Sequence, residues 1–229
     1  MHADIKTKAC ISLTAFAGLR FHKSASLTLS DIIELDIPTL TATEKPTLIH
    51  VPPEASKKDN RYFTFMASEG VDYFIEYLRW RRNNREELKP DSPLISGSLV
   101  NGKPICSKWI SILIRNAMKP VIKARPYTLR SYFDMALLAA KVHPVWQSLF
   151  MGHKGNVESV YTTRKHLPEN IIKNMREQFK PAEEYLTTMP KPSSIEEQRK
   201  RDFINVAKIS GFLNEEGIRF LQEVIAKGA

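Results

Sequence analysis

The side chains whose type and clustering most clearly suggest a function are basic, and they are concentrated in one part of the chain. Positions 101–130 hold seven basic residues and no acidic residue. They are Lys103, Lys108, Arg115, Lys119, Lys123, Arg125 and Arg130. A second basic run, RWRRNNR, occupies positions 79–85. One-signed runs are typical of proteins that neutralise phosphates and release counterions from nucleic acid, although a single run is equally typical of a solvated helix face.

Three further patterns contain residue types that can do chemistry. AFAGLRFHKSASLTLSDI carries Arg20, PYTLRSYF carries Arg130, and LFMGHKGNVESVYTT carries His153 and Tyr161. Each residue alone is ordinary: an arginine at a helix end, a histidine that could cap a helix, one tyrosine among seven. The informative feature is their joint order, which also includes a basic hairpin between the first two patterns.

In this order the patterns resemble the catalytic domain of the tyrosine recombinases, the phage-integrase family, and are most similar to integrases of archaeal viruses and plasmids. The resemblance covers about residues 1–180. It implies that Arg20 and Arg130 are the two catalytic arginines, that His153 occupies the His/Trp position, and that Tyr161 is the nucleophile. The family's lysine lies on a β-hairpin, where this chain offers Lys57 and, as the alternative, Lys58.

Two positions depart from the family pattern. Tyr127 stands where the family has the histidine of His-x-x-Arg, which removes a group that titrates near neutral pH but keeps a hydrogen-bonding tip. We retain Tyr127 among the candidate catalytic residues. Lys23 stands where many members carry an acid three residues after the first arginine.

The resemblance implies phosphodiester cleavage without a metal or other cofactor. Arg20 and Arg130 would hold the non-bridging oxygens of the extra-negative phosphorane through their planar, charged guanidinium groups. Tyr161 needs that cationic pocket because a phenol with a pKa of ~10 is a poor nucleophile. Lys57 or Lys58 would protonate the leaving 5′-oxygen, and His153 would bond the phosphate or assist proton transfer.

The elements that must position these residues are mostly helices. Apolar spacing predicts helices over 4–20 (ending near Gly18), 69–85, 107–118, 127–142, 144–151 and 168–179. The segment TLIHVP alternates as a strand does, and YFTFM is rich in aromatic and β-prone residues, so the two are predicted to form the strands of a hairpin. We predict an α+β, mostly helical fold, with a small β-sheet or hairpin on one edge and a C-terminal helical tail.

The domain organisation follows from these segments and from the resemblance. The catalytic domain is expected over 1–182, and a linker with a C-terminal helical tail over 183–229, where KPAEEYLTTMPKPSSIEEQ is rich in proline. The tail could contact a second protomer or fold back on its own domain. The family's N-terminal DNA-clamping domain is expected to be absent.

Charge and composition define the expected partners. The net charge of +9 lies entirely in residues 1–192, because residues 193–229 contain six basic and six acidic side chains. We expect double-stranded DNA as partner, contacted also by Arg164 and Lys165, with a homo-oligomer, dimer to tetramer, on the DNA. No small-molecule substrate and no membrane partner are expected. No apolar stretch reaches ~18 residues, so a cytoplasmic, nucleoid-associated protein is predicted.

The two cysteines, Cys10 and Cys106, have neither metal-binding nor disulfide spacing, and both are expected to be reduced and buried.

The predicted function is a site-specific DNA recombinase that integrates or excises a mobile element through a 3′-phosphotyrosyl intermediate. Two alternatives stay open: a DNA-binding or auxiliary module with reduced activity, and type IB topoisomerase-like relaxation of DNA. Tyr132 and Tyr185 are rival nucleophiles, ranked lower because Tyr132 lies two positions past Arg130 in the same helix and Tyr185 lies beyond the motif.

Overall fold

The computed structural model describes residues 3–55, 61–97, 102–153 and 167–188, the side chains at 22 and 23 excepted. Several predicted features lie outside these ranges. They are Lys57, Lys58, Tyr161, Arg164, Lys165, the side chain of Lys23 and the predicted helices of the tail. The described part up to Thr187 belongs to one compact unit.

Helices make up most of the described chain, as the sequence predicts. The helices are α1 (Ile5–Ile11), α2 (Phe21–Ser24), α3 (Ser68–Asn83), α4 (Ser107–Met118), α5 (Tyr127–Ala139), α6 (Pro144–Phe150), α7 (Glu169–Phe179) and α8 (Glu183–Leu186). The strands are β1 (Leu35–Asp36), β2 (Thr41–Ala42), β3 (Thr47–Val51) and β4 (Tyr62–Met66). None of the helices in the described ranges is long and apolar enough to span a lipid bilayer.

The predicted hairpin is present as an antiparallel pair of β3 and β4. Thr47 lies opposite Met66, and Val51 lies opposite Tyr62. All residues of β4 are buried, because α6 and the end of the first helical segment pack against this strand. A second small antiparallel pair joins β1 to β2. The sequence therefore places the two strands of the hairpin correctly, and the pair β1–β2 is an addition that it did not predict. The fold is mostly helical with small antiparallel sheets.

A cluster of phenylalanines holds the elements that surround the hairpin. The Phe179 ring of α7 lies 5.5 Å from Phe65 of β4, 5.6 Å from Phe150 of α6 and 5.9 Å from Phe133 of α5, measured between ring centroids. All four rings are at most 1% exposed. Aromatic pairs at these separations add to the stabilisation that comes from burying apolar area. The cluster therefore fixes α5, α6 and α7 against β4.

The end of the first helical segment is hydrogen-bonded to β4 and to the residue that follows β4. A single π-helical stretch, Ser12–Phe16, follows α1 and precedes Gly18. The Phe16 carbonyl accepts the Ala67 backbone N–H at 2.9 Å, and the Ala17 carbonyl accepts the Thr64 hydroxyl at 3.1 Å. These bonds satisfy carbonyls that a helix end leaves free, and they fix the chain just before Arg20.

The stretch KPAEEYLTTMPKPSSIEEQ, whose prolines indicate a linker, begins instead with helical turns. Residues Lys180–Ala182 form a 3₁₀ turn that continues into α8. Ala182 and Leu186 are fully buried, and the Glu183 carboxylate accepts the Ser68 backbone N–H at 2.7 Å. Proline content suggests a loop, but burial of these apolar side chains against α5 stabilises a helix here.

The two cysteines differ in their surroundings. Cys10 is 1% exposed, and burial raises the pKa of its thiol to about 12. Cys106 is exposed, which corrects the prediction that both are buried. Cys106 lies directly before the first residue of α4, and the first buried residue of that helix is Ile110, so the core does not reach Cys106.

Candidate active site and nucleic-acid interface

The structure brings Arg130 together with the backbone of two distant motifs. Its Nη1 donates to the Gly18 carbonyl, and its Nη2 donates to the Met151 carbonyl. Gly18 lies two residues before Arg20, and Met151 lies two residues before His153. One guanidinium therefore joins the turn between the π-helical stretch and α2, helix α5 and the turn that follows α6.

Arg130 is deeply buried for a cation. Its residue is 1% exposed, and among the described residues its Nε–H has no hydrogen-bond partner. Burial lowers the pKa of the guanidinium, and the positive charge of Arg20 acts in the same direction. The Tyr62 and Tyr127 phenols oppose this effect on the pKa. Because an arginine keeps its proton far above neutral pH, Arg130 remains a charged donor in this site.

Arg20 lies at the start of α2 and is partly exposed. It lies close enough to act electrostatically on Arg130 and on the Tyr62 phenol. Two like charges held near each other are costly without an anion between them, so this pair forms a natural site for a negatively charged group. The predicted pair of arginines is therefore assembled, with Arg20 the more accessible member.

Gly18 is required by both its conformation and its neighbour. Its φ is +65°, a value that side chains disfavour, and a Cβ built on it would lie 2.4 Å from Cδ1 of Phe133. Phe133 lies on α5 one turn after Arg130. The absence of a side chain at Gly18 therefore allows α5 to approach closely enough for Arg130 to reach the Gly18 carbonyl.

His153 and Tyr127 lie at the rim of this arrangement. His153 is exposed, and its backbone N–H donates to the Ser148 carbonyl at 2.9 Å, which closes the end of α6. Tyr127 is 48% exposed on the first turn of α5, one turn before Arg130. Both side chains are thus accessible from solvent beside the buried guanidinium. Lys57, Lys58 and Tyr161 lie outside the described residues.

Tyr62 is a neighbour of both arginines that the sequence analysis missed. Tyr62 is 4% exposed on β4; burial raises the pKa of its phenol, and the nearby charges of Arg130 and Arg20 act in the opposite direction. No motif marks this position, because a tyrosine at the start of an aromatic strand looks like ordinary core. Only the pairing of β4 with α6 and α5 reveals its place.

The rival tyrosine Tyr132 serves packing. Its hydroxyl donates to the Tyr185 carbonyl at 2.5 Å and so joins α5 to α8. Burial and the negative charge of Glu69 raise the pKa of the Tyr132 phenol. A raised pKa and an occupied hydroxyl make Tyr132 a poorer nucleophile than an ordinary tyrosine.

The predicted cationic surface on and after α4 is exposed throughout its described part. Its members are Lys103, Lys108, Arg115, Lys119, Lys123 and Arg125. Arg115, Lys119, Lys123 and Arg125 line one depression together with Asn116. Helix α4 also packs on α2, the turn that begins directly after Arg20. The surface is therefore connected through the fold to the arginine pair.

The second basic run, residues 79–85, has one arginine in the core, while Arg79, Arg82 and Arg85 are exposed. Arg81 is fully buried, where its guanidinium pairs with Glu86 at 2.5 Å and donates to the Pro93 carbonyl at 2.7 Å. Arg82 donates to the carbonyls of Ile37 and Pro38. These arginines bind neighbouring loops, because α3 lies in the core and its C-terminal end meets carbonyls from two connections.

Within the described ranges, no cluster of three or more histidine, cysteine, aspartate or glutamate side chains could hold a metal ion.

Comparison with known proteins identifies the fold. No protein-family model matches the chain, and no curated protein matches it in sequence. Among solved structures, the chain is similar to the XerA recombinase, with a TM-score of 0.50 and 22% identity over 78% of this chain and 57% of that one. It is also similar to the integrase from mycobacterium phage Brujita, with a TM-score of 0.55 and 20% identity over 84% of this chain and 56% of that one.

These neighbours are a recombinase and an integrase, and at this level of identity they establish the fold alone. The chain has the helical fold with small antiparallel sheets that these recombinase and integrase chains share. It spans a little over half of the length of each.

Proposed function

We propose that the chain is a site-specific DNA recombinase that cleaves and rejoins DNA strands through Tyr161. The observation that carries this proposal is the placement of Arg130, which bonds the backbone beside Arg20 and beside His153. Residues from three distant motifs thereby surround one cationic centre, in a fold shared with recombinases and integrases. An exposed cationic surface on α4 supports duplex DNA as the substrate.

In the proposed reaction the Tyr161 hydroxyl gives its proton to His153 as its oxygen attacks the scissile phosphorus. A bond forms between that oxygen and phosphorus, the bond from phosphorus to the 5′-oxygen breaks, and Lys57 or Lys58 protonates the leaving oxygen. Arg20 and Arg130 hold the extra negative charge of the phosphorane. His153 and Tyr127, at the rim, contact the phosphate oxygens. Attack by a 5′-hydroxyl of another strand reverses these steps and reseals the DNA without an external energy source.

The finer part of the proposal concerns biological context. The residues of the three sequence patterns suggest an integrase of an archaeal virus or plasmid that integrates or excises a mobile element. The chain would act as a dimer to tetramer on DNA, in the cytoplasm at the nucleoid. The proposed catalytic domain spans 1–182, and the tail would contact a second protomer.

The test is a denaturing-gel assay for a covalent adduct between protein and DNA. The substrate is duplex DNA nicked at random, because basic side chains position phosphates and do not define a target sequence. A nick just beyond the cleaved bond lets the short 5′-hydroxyl fragment diffuse away, which traps the adduct. We expect an adduct at a 3′ end that is lost in Tyr161→Phe and kept in the matched control Tyr132→Phe.

The 1% exposure of Arg130 favours one alternative, a DNA-binding or auxiliary module with reduced activity. A guanidinium engaged with backbone carbonyls has fewer donors left for a phosphate. DNA binding without any adduct would support this module and contradict the recombinase. An adduct that survives Tyr161→Phe would assign the nucleophile to another tyrosine.

A further inference from the structure

The connection between α4 and α5, residues 119–126, presents two aliphatic side chains to solvent. Val121 is 89% exposed and Ile122 is 52% exposed. Val121 is the most exposed large hydrophobic residue in the described ranges. Because so exposed a side chain contributes almost no burial to folding, its apolar surface is available to a partner. Single exposed aliphatic residues are common on proteins, so the surroundings of this pair decide whether it has a role.

The backbone of the connection is held in a fixed turn. The N–H groups of Val121 and Ile122 donate to the Met118 carbonyl at 2.9 and 2.8 Å, and the Ala124 N–H donates to the Ile122 carbonyl at 3.1 Å. Met118, the last residue of α4, is buried, and so is Pro126, directly before α5. Because the turn is anchored at both ends, little further ordering is needed when a partner binds.

The charged side chains beside the pair are all basic. Ile122 and Ala124 line one depression together with four exposed cations, which are Arg115, Lys119, Lys123 and Arg125. No acidic residue lines this depression, and none occurs in positions 101–130. The surface therefore combines positive charge with an exposed apolar side chain, which fits a polyanion that also offers apolar groups.

Duplex DNA has both properties. Its phosphates lie along both sides of each groove, and cations bind them whatever the sequence. The apolar group on its base edges is the C5-methyl of thymine, which projects into the major groove. An aliphatic side chain that is held on a fixed turn between phosphate-binding cations can contact this methyl group.

We propose that Val121 contacts thymine methyl groups in the major groove of bound DNA, while the four cations hold the neighbouring phosphates. This inference rests on duplex DNA as the partner in the proposed function, and it adds to that function a residue that makes binding depend on base sequence. The cations alone provide no such dependence, because phosphate contacts carry no sequence information.

The test uses two duplexes of alternating A·T sequence that differ only in the C5-methyl group, one built with thymine and the other with deoxyuridine. Fluorescence anisotropy gives the dissociation constant of each duplex for the parent chain, Val121→Ser and Leu138→Ser. Leu138 is the matched control, since it is an aliphatic residue that is 56% exposed but lies three turns along α5, outside the depression.

We expect the parent chain and Leu138→Ser to bind the thymine duplex about three- to tenfold more tightly than the deoxyuridine duplex, the effect of burying one or two methyl-sized groups. In Val121→Ser this ratio should fall toward one. The slope of log K against log salt concentration should stay at the parent value, since no phosphate contact is lost. A parent ratio of one, a Val121→Ser ratio equal to that of the parent, or a reduced slope in Val121→Ser would each overturn the proposal.

Binding is measured apart from cleavage, so failure of this inference is distinguishable from failure of the proposed function. A chain that prefers the thymine duplex but forms no covalent adduct contradicts the recombinase and supports the role of Val121. A chain that forms the adduct but binds both duplexes equally contradicts the role of Val121 alone. A chain that binds neither duplex contradicts both.

An anionic membrane is the other partner that takes cations together with apolar side chains. Flotation with vesicles of phosphatidylcholine and phosphatidylserine tests it. Vesicle binding that is lost in Val121→Ser, without a preference for the thymine duplex in the parent chain, would overturn the proposal and assign Val121 to a lipid surface. Absence of vesicle binding together with the thymine preference supports the contact with DNA.

Discussion

At the scale of single residues, the candidate site is centred on a buried cation that bonds backbone carbonyls. Arg130 donates to two backbone carbonyls, one of them 112 positions and the other 21 positions away along the chain. A backbone carbonyl is an acceptor that substitution cannot remove. The geometry at Arg130 is therefore sensitive to anything that moves those two segments.

Gly18 gives the clearest prediction at this scale. Gly18→Ala places a methyl group against Phe133 and forces a left-handed backbone on a residue with a side chain. We expect a loss of unfolding free energy of about 2–5 kcal/mol, from about 1–2 for the conformation and about 1–3 for overpacking. Urea unfolding followed by circular dichroism measures it.

The matched control for this prediction is Gly102→Ala. Gly102 has a φ of +57°, but a Cβ there would meet nothing within 4 Å. It should lose only the conformational part, about 1–2 kcal/mol. Equal losses at the two positions would show that the contact with Phe133 has no energetic consequence.

At the scale of elements, α5, α6 and α7 are held on β4 by the four phenylalanines. Phe179 touches the other three rings, so its removal affects every element that positions Arg130, Tyr62 and His153. The active-site geometry therefore depends on a residue of α7 that belongs to none of the motifs.

We predict that Phe179→Ala lowers the unfolding free energy by about 3–5 kcal/mol, the usual cost of removing a fully buried aromatic ring. Met135→Ala on α5 is the control, since Met135 is 60% exposed and should change stability by no more than about 0.5 kcal/mol. Thermal or urea unfolding of both variants decides the matter. A Phe179→Ala chain as stable as the Met135→Ala chain would contradict the role of the cluster.

At the scale of the whole molecule, the distribution of charge separates two kinds of arginine and lysine. Cations of residues 103–125 face solvent, as do Arg79, Arg82 and Arg85, whereas Arg81 is buried and bonds the protein itself. The net charge of +9 is therefore distributed unevenly over the surface. The attraction is expected to be concentrated around α4.

Salt dependence of DNA binding tests this distribution. Each phosphate contact that is lost should reduce the slope of log K against log salt concentration by about 1. We expect Arg115→Gln and Lys119→Gln each to reduce the slope in this way and to weaken binding to all duplex sequences alike. Fluorescence anisotropy over a range of salt concentrations measures both quantities.

Lys89→Gln is the control for the salt experiment. Lys89 is exposed and pairs with Glu87 at 3.0 Å, outside the α4 surface. Its substitution should leave the slope unchanged. If Lys89→Gln reduced the slope as much as Lys119→Gln, the DNA-binding surface would not be centred on α4.

The sequence by itself determined the element positions and the order of the motifs. Hydrophobic periodicity located α4 at Ser107–Met118, because burial of one face repeats along a helix with its period. Alternation in TLIHVP located β3, and the aromatic and β-prone residues of YFTFM located β4, a strand that is buried throughout. The fold class followed from these elements. The motif positions of Arg20, Arg130 and His153 were also read from the sequence, and their catalytic roles stay predictions.

Only the tertiary structure decided which charges and hydroxyls work together. The surroundings of Arg81, Tyr132 and Tyr62 could not be predicted, since each side chain lies near carbonyls or guanidinium groups that distant segments of the chain contribute. Exposure of Cys106 and the helix at Glu183–Leu186 depend likewise on which neighbours cover them. Local sequence encodes local conformation, whereas partners across the core arise only when the elements pack.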